Sequence, residues 1–387
     1  MKRTGFGGWL LLAVAASTAC RDRAAPPHDA ARAPAPPAPP APPAVTTAAV
    51  DGNADTLSLA ERRAAGGRIV FVSERGGAPR AFVVAPTGQG ARELAAGGGA
   101  IYPAAVSPDG RTLLAIAVRE QGGEHGEQMV LVPMGGGAAR PLGPAGPRAR
   151  SAAGAPDGRW VVFESDRASF RDLYRIAPDG SGLRRLTENR EGNFDPAVSP
   201  DGRWIAFASS RDGDAEVYMM RADGGGQRRL TAFHRDDWGP RWSPDGRTVA
   251  FLSNREGADR VFLVSPEGTG LRKLGAGTDS AGTDGAAAPW QEADPAWSPD
   301  GTRIAFTRHL RPGESRVRIV DLRTGAAREV GGVAAASQPA WSPDGRHLAF
   351  TAGSGGDAEL WIARADGSGA TRITHSQGAD WLPRWVR

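Results

Sequence analysis

Residues 198–208 read Val-Ser-Pro-Asp-Gly-Arg-Trp-Ile-Ala-Phe-Ala, and this stretch contains the pattern that decides the fold. Ser-Pro-Asp-Gly matches the residue preferences of a type I turn, because Pro pre-sets φ and Asp can bond its own backbone. The alternating apolar run that follows is typical of a β-strand. The stretch therefore predicts two antiparallel strands joined by a turn that Gly closes.

The same turn recurs along the chain. Its aspartates are Asp109, Asp157, Asp201, Asp245, Asp300 and Asp344. Their spacings are 48, 44, 44, 55 and 44 residues, and a period in the forties is typical of a β-propeller. A second turn, such as Pro178-Asp179-Gly180, follows in each of seven copies. Two turns per repeat predict four strands per blade, which we name A to D in chain order.

The two ends of the repeat region fit together as one blade. Gly67–Phe71 aligns with the segments that follow the first turn elsewhere, and Trp381–Val386 aligns with the segments that precede it. The region 66–387 holds 322 residues, or 46 per blade if there are seven. We therefore predict an all-β, seven-bladed propeller of four-stranded antiparallel blades, closed by pairing of the C-terminal strand with the first blade. Six blades are the alternative.

Residues 1–20 have the pattern of an export signal. Lys2 and Arg3 precede an apolar stretch, 6–16, which is shorter than the roughly 20 residues needed to span a membrane. Ser17-Thr18-Ala19-Cys20 resembles a lipobox, which implies lipidation of Cys20 and a periplasmic or outer-membrane-anchored lipoprotein. An ordinary secreted protein is the alternative. Residues 21–65 predict a disordered Ala/Pro-rich spacer, within which 56–65 could form a short helix or an edge strand.

The repeat consensus also identifies a family. Pro-x-Trp-Ser-Pro-Asp-Gly-Arg, then Ile-Ala-Phe-x-Ser-x-Arg and, after the second turn, Arg-Arg-Leu-Thr resemble the TolB-like (PD40, WD40-like) β-propeller repeats over residues 66–387. The resemblance implies a scaffold that contacts protein partners of the bacterial cell envelope. TolB itself is six-bladed and carries an N-terminal α/β domain, so this chain departs from it in both respects.

Composition limits the chemistry. A single Cys excludes a disulfide framework, and the net charge of +4, with Arg and acidic residues interspersed, disfavours nucleic acid as a partner. No Gly-x-Ser-x-Gly elbow of an α/β-hydrolase occurs. We expect a non-enzymatic scaffold without a cofactor, binding a protein or peptidoglycan-associated partner. The alternative is a metal-dependent propeller lyase or hydrolase acting on a saccharide, with four loop histidines as metal ligands: His125, His234, His309 and His375.

Candidate binding residues fall in the B–C loops and the D–A connections, which emerge on the same face of a propeller. Arginines follow strand B and aspartates precede strand A, and they could form inter-blade clamps or a polar ring that binds a partner. Three tryptophans of D–A connections are candidates for a contact surface, and the long connection 275–292 is a candidate specialised loop. The residues are Arg167, Arg211, Arg255, Asp195, Asp237, Asp294, Trp238, Trp290 and Trp381.

Overall fold

The structure, a computed structural model, describes residues 56–96, 99–121, 124–144, 148–275 and 290–387. The described residues form seven four-stranded antiparallel sheets. Blade 1 contains Asp380–Val386, Arg68–Ser73, Arg80–Val84 and Arg92–Glu93 as strands A to D. Blade 2 contains Ala100–Val106, Thr112–Gln121, Glu124–Pro133 and Arg140–Pro141. Blade 3 contains Ala149–Gly154, Val161–Ser165, Asp172–Ile176 and Arg184–Arg185.

The remaining blades repeat this order. Blade 4 contains Asn193–Val198, Trp204–Asp212, Asp214–Arg221 and Arg228–Arg229. Blade 5 contains Asp237–Trp242, Val249–Ser253, Arg260–Val264 and Arg272–Lys273. Blade 6 contains Gln291–Trp297, Arg303–Arg311, Glu314–Asp321 and Ala327–Glu329. Blade 7 contains Ser337–Trp341, His347–Ala352, Glu359–Arg364 and Thr371–Arg372. A short parallel pair, Ala95–Ala96 with Gly137–Ala138, links blades 1 and 2, and a 3₁₀ turn spans Gly355–Asp357.

Ring closure is confirmed. The C-terminal strand Asp380–Val386 pairs antiparallel with Arg68–Ser73, with Trp385 opposite Ile69 and Asp380 opposite Ser73. The six-blade alternative is therefore wrong. A propeller closed in this way removes a free edge that would otherwise be open to pairing with another chain.

The predicted A–B turn forms through its own side chains. In blade 4 the Ser199 hydroxyl donates to Asp201 Oδ1 at 2.6 Å, and the same oxygen accepts from the Arg203 amide at 3.0 Å. Gly202 closes the turn at φ +69°, a left-handed conformation that Gly adopts without strain. The same contacts recur at Asp245, Asp300 and Asp344, which explains the repeated motif.

The core lies between the blades rather than within one layer. Strand B of six blades contributes a Phe that is at most 1% exposed, and these rings pack against strands of the neighbouring sheet. The residues are Phe71, Phe163, Phe207, Phe251, Phe306 and Phe350. The indole N–H of Trp341 donates to the Ala296 carbonyl of the preceding blade, and Trp242 and Trp297 make the equivalent bond. These tryptophans therefore hold consecutive innermost strands together.

A short helix, α1, spans Leu59–Ala64 and belongs to the propeller rather than to the spacer. Ser58 and Glu61 form a capping box at its start, and the Leu57 amide donates to Thr371 Oγ1 at 2.8 Å. Leu57 is only 2% exposed, and Arg364 of blade 7 pairs with Glu61 at 2.9 Å. Of the two alternatives for 56–65, the short helix is the one that forms, and Leu57 gains burial by docking on blade 7. The predicted signal peptide and most of the predicted spacer lie outside the described residues.

Candidate functional site

The arginines that follow strand B form a repeated unit with the strand itself. In blade 5, Arg255 Nε donates to Ser253 Oγ at 2.8 Å, and its guanidinium lies 5.7 and 4.6 Å from the ring centroids of Phe251 and Phe262. The same Ser bond and ring stack occur at three further arginines: Arg75, Arg167 and Arg211. Stacking on an aromatic face suits the planar guanidinium, and the Ser bond fixes its direction.

Three of these four arginines then reach back to strand A of their own blade. Arg255 pairs with Asp237 at 2.7 Å and Arg75 with Asp380 at 2.9 Å. Arg211 instead donates to the amide oxygen of Asn193 at 3.0 Å. In each case the acceptor lies directly opposite the Ser in the A–B register. Of the arginines and aspartates predicted to pair, only Arg255 and Asp237 do so among the described residues, and both belong to blade 5, so this pair does not link two blades.

Arg167 differs from its equivalents because its blade offers no acceptor. Ala149 occupies the strand A position opposite Ser165. The guanidinium keeps its stack on Phe163 and Tyr174 at 5.2 and 5.0 Å, and burial lowers the pKa of Arg167. Among the three arginines predicted to bind a partner, it is the one without a strand A acceptor.

One polar link, between blades 3 and 4, comes from a strand C carboxylate that the sequence analysis missed. Asp172 of blade 3 accepts from Arg185 at 2.6 Å, from Thr187 at 2.9 Å and from Asn193 of blade 4 at 2.7 Å. Glu216 and Glu359 bond the equivalent Arg and Thr of their own blades. The Arg and Thr that bond these carboxylates are the second and fourth residues of the Arg-Arg-Leu-Thr motif. The motif was therefore the sequence signal that could have revealed the carboxylates.

Asp195 and Asp294 lie elsewhere. Both occupy a β-bulge of strand A at φ +52°, directly before a Pro, and neither pairs with an arginine that follows strand B. The Asp195 amide donates to Glu164 Oε1 at 2.8 Å, and burial followed by the Glu164 charge raises the pKa of Asp195 to about 6. Burial likewise raises the pKa of Asp294, which accepts from Thr307 at 3.1 Å. Burial thus disfavours the ionised form of both carboxylates.

The three connection tryptophans differ in exposure. Trp238 is only 6% exposed and packs with Phe194, so it does not present a contact surface. Trp290 is half-buried between the guanidinium groups of Arg260 and Arg308, at 5.3 and 4.7 Å. Trp381 is half-buried with its ring 6.0 Å from that of Tyr102.

The histidines do not form a metal centre among the described residues. His234, His309 and His375 are exposed, and no group of three or more His, Cys, Asp or Glu in the described ranges could hold a metal ion. His125 lies on strand C of blade 2, outside the residues whose side chains are described. Residues 276–289 of the long connection and Cys20 are also outside the described ranges. In the described part of the chain, no helix is long and apolar enough to span a bilayer.

Comparison with known proteins agrees with this architecture. Residues 168–283 match the Tricorn protease N-terminal β-propeller domain, and residues 291–387 match the TolB β-propeller domain. A TolB homologue of Chlorobium luteolum is 33% identical over 91 residues, which are 23% of this chain and 20% of that protein. The matches support a TolB-like propeller. Since the matched segment spans a fifth of the relative, the whole relative's activity does not transfer with it.

Solved structures of proteins with different activities show the same fold. TolB from Acinetobacter baumannii superimposes with a TM-score of 0.52 at 19% identity, covering 82% of this chain and 66% of its own. A puromycin hydrolase gives 0.62 at 18% identity, covering 80% and 52%. An oligogalacturonate lyase in complex with manganese gives 0.60 at 16% identity, covering 78% and 87%. At these identities the likeness concerns the fold alone.

Proposed function

We propose that this chain is a non-enzymatic cell-envelope scaffold that binds a protein partner through its loop face. The loop face consists of the B–C loops and D–A connections, such as 166–171, 187–192 and 231–236. The TolB-like propeller supports this class of function. Export and tethering through a lipidated Cys20 form part of the same proposal.

The observation that carries the proposal is a pair of exposed aromatic side chains on this face. Phe170 is 39% exposed in the B–C loop of blade 3, and Phe233 is 44% exposed in the connection between blades 4 and 5. Aromatic and Arg side chains are enriched where proteins bind one another, and they contribute most of the binding energy there.

Phe233 is held in place by two of the groups described above, Glu216 and Arg255. The Phe233 amide donates to Glu216 Oε1 at 2.6 Å, and the Arg255 guanidinium lies 5.0 Å from the Phe233 ring centroid. Phe170 lines a cavity of about 300 Å³ between blades 3 and 4, together with Arg171 and Phe194. The groups that stabilise blades 4 and 5 therefore also position Phe233.

Matched double variants test the proposal. Phe170→Ser with Phe233→Ser alters the loop face, whereas Leu183→Ser with Leu271→Ser alters C–D turns on the opposite face, where those residues are 37% and 45% exposed. Tagged full-length chains are used to capture partners from envelope extracts of the source cells. We expect one protein to be retained by the wild type and the Leu variant and lost from the Phe variant. Equal retention by both variants would contradict the proposed face.

Tethering has its own test. Cys20→Ser should move the protein from the membrane fraction to the soluble envelope fraction, because a lipid chain supplies the membrane affinity. A Cys20→Ser protein that stays in the membrane fraction would remove this part of the proposal and leave the loop face unaffected.

The described residues contain no set of metal ligands that would support the alternative, a metal-dependent lyase. Exposed histidines that do not cluster cannot supply the three protein ligands of a catalytic metal site. Metal analysis of the purified chain checks this point, since stoichiometric manganese, calcium or zinc would revive the alternative.

A further inference from the structure

The innermost strands carry an unusual pair of arginines at one repeated position. The residue two places before each A–B turn is Ala in five blades: Ala105, Ala153, Ala197, Ala296 and Ala340. Blade 5 has Arg241 at this position, opposite Ala250 of strand B. Blade 1 has Arg384, opposite Val70 in the same register. We call these seven residues the inner ring.

The inner ring faces the central channel. Its five alanines are half-buried and its two arginines are exposed, although strand A is the innermost strand of every blade. Arg384 is exposed between two buried neighbours, Pro383 and Trp385. Surrounding protein nevertheless lowers the pKa of Arg384 to about 10, and the like charge of Arg241 adds to this effect. The Arg384 side chain is thus accessible to solvent and at the same time surrounded by protein, as expected of a residue that lines the central channel.

Neither arginine has an ionic partner among the described residues. Arg241 donates only to the carbonyl of its neighbour Pro240, at 2.9 Å, and Arg384 forms no hydrogen bond or ion pair there. Arg255, by contrast, contacts a carboxylate, a hydroxyl and three aromatic rings. Two like charges that cost desolvation and repel each other, where alanine suffices in five blades, indicate a functional rather than a structural role.

The charges around the inner ring indicate the kind of ligand. Asp195 of blade 4 and Asp294 of blade 6 lie within electrostatic range of Arg241 and offset part of its charge. No acidic group among the described residues is among the causes that shift the pKa of Arg384, so the pair keeps a small positive charge, which suits a singly charged group better than a phosphate dianion. The planar guanidinium fork matches a carboxylate through two parallel hydrogen bonds.

We propose that Arg241 and Arg384 form a carboxylate-binding site inside the central channel. The site is separate from the loop-face residues Phe170 and Phe233, and its test does not depend on them. The carboxylate could come from a small free acid or from an acidic residue of a peptide inserted in the channel, and these sources share the same chemistry.

Calorimetric titration of the full-length chain tests the site. The probes are sodium acetate and a blocked Gly-Glu-Gly-Gly peptide, with the matching Gln peptide and sodium chloride as controls for charge and ionic strength. The variants are Arg241→Ala, Arg384→Ala and their double, which restore the residue already present in five blades and so should fold. Arg247→Ala, on the exposed A–B turn of blade 5, is the matched control for losing one positive charge.

We expect saturable binding of at least one carboxylate probe, weakened roughly tenfold or more by each single variant, abolished in the double and unchanged in Arg247→Ala. Binding of acetate alone would identify a small acid as the source, and binding of the Glu peptide alone would identify an inserted segment. Absence of binding by the wild type, or equal binding by the folded double variant, would overturn the site. Thermal unfolding of each variant confirms that it folds.

Discussion

Arg255 and Asp237 form an ion pair of 2.7 Å in which the Asp side chain is fully buried and the Arg side chain is 10% exposed. The two residues join the end of strand B to the start of strand A in one blade, and the guanidinium also covers the rings of Phe251, Phe262 and Phe233. The pair therefore fixes the point at which the B–C loop and the D–A connection of the loop face meet.

Arg255→Ala should lower the free energy of unfolding by about 3 kcal/mol, because it leaves the buried Asp237 charge unpaired. Arg247→Ala, on an exposed turn, should change it by less than about 0.5 kcal/mol. Urea unfolding followed by tryptophan fluorescence gives both values. An Arg255→Ala loss no larger than that of Arg247→Ala would show that the pair contributes nothing to stability.

Ring closure makes a separate prediction at the glycines of the C–D turns. Gly88 in blade 1 has φ +84°, and an added Cβ would lie 2.5 Å from the Ile373 carbonyl oxygen of blade 7. Gly325 in blade 6 has a similar φ of +73° with open space around the same position. Gly325→Ala should therefore cost about 1 kcal/mol from backbone strain alone, and Gly88→Ala clearly more.

Both variants carry the same cost of placing a Cβ on a left-handed backbone. Any further loss of stability in Gly88→Ala therefore reports the contact between blades 1 and 7. Differential scanning calorimetry of the two variants provides the measurement. If the two melting temperatures fall equally, blade 7 does not press on the Gly88 turn in solution.

The fold was predictable because the sequence motif that specifies it acts locally and recurs along the chain. Ser199, Asp201 and Gly202 specify their turn with contacts inside five residues, and the same contacts recur at a fixed period. Ring closure followed from counting, since the segment at Trp385 could only pair with the one at Ile69. Local chemistry of this kind can be read from sequence because no long-range geometry is needed.

The site was less predictable because its partners are set by strand register. The sequence indicates that Arg211 and an acidic residue lie on one face, but register places Asn193, not Asp195, opposite Ser209. Likewise, the Arg241 and Arg384 substitutions are visible in the aligned repeats. Their exposure inside the channel depends on which strand is innermost and on the bulge that precedes them.

The turn aspartates should make the protein acid-sensitive. The hydrogen bond from Ser243 does most to lower the pKa of Asp245, and the Arg247 amide adds to it. A lowered folded pKa gives stability that is present above the unfolded pKa and lost as pH falls through the folded one. Asp245→Asn should therefore lower the melting temperature at pH 5 and above, and its difference from the wild type should shrink as the pH falls below about 4. A gap that stays constant with pH would contradict this account.

The bulge aspartates should behave in the opposite way. The folded pKa of Asp195 is raised to about 6, so its contribution to stability is greatest below the unfolded pKa and is lost as pH rises through about 6. Asp195→Asn removes the buried charge, and Asn tolerates the φ of +52° at this bulge. The variant should be more stable than the wild type at pH 7 by about 1–3 kcal/mol, with the gain disappearing below pH ~4. Asp237→Asn makes the same chemical change at a paired site and should instead destabilise, because it removes the charge that Arg255 binds. Urea unfolding of both variants between pH 4 and pH 7 checks the signs, and a loss of stability in both would show that the Asp195 carboxylate is favourably held.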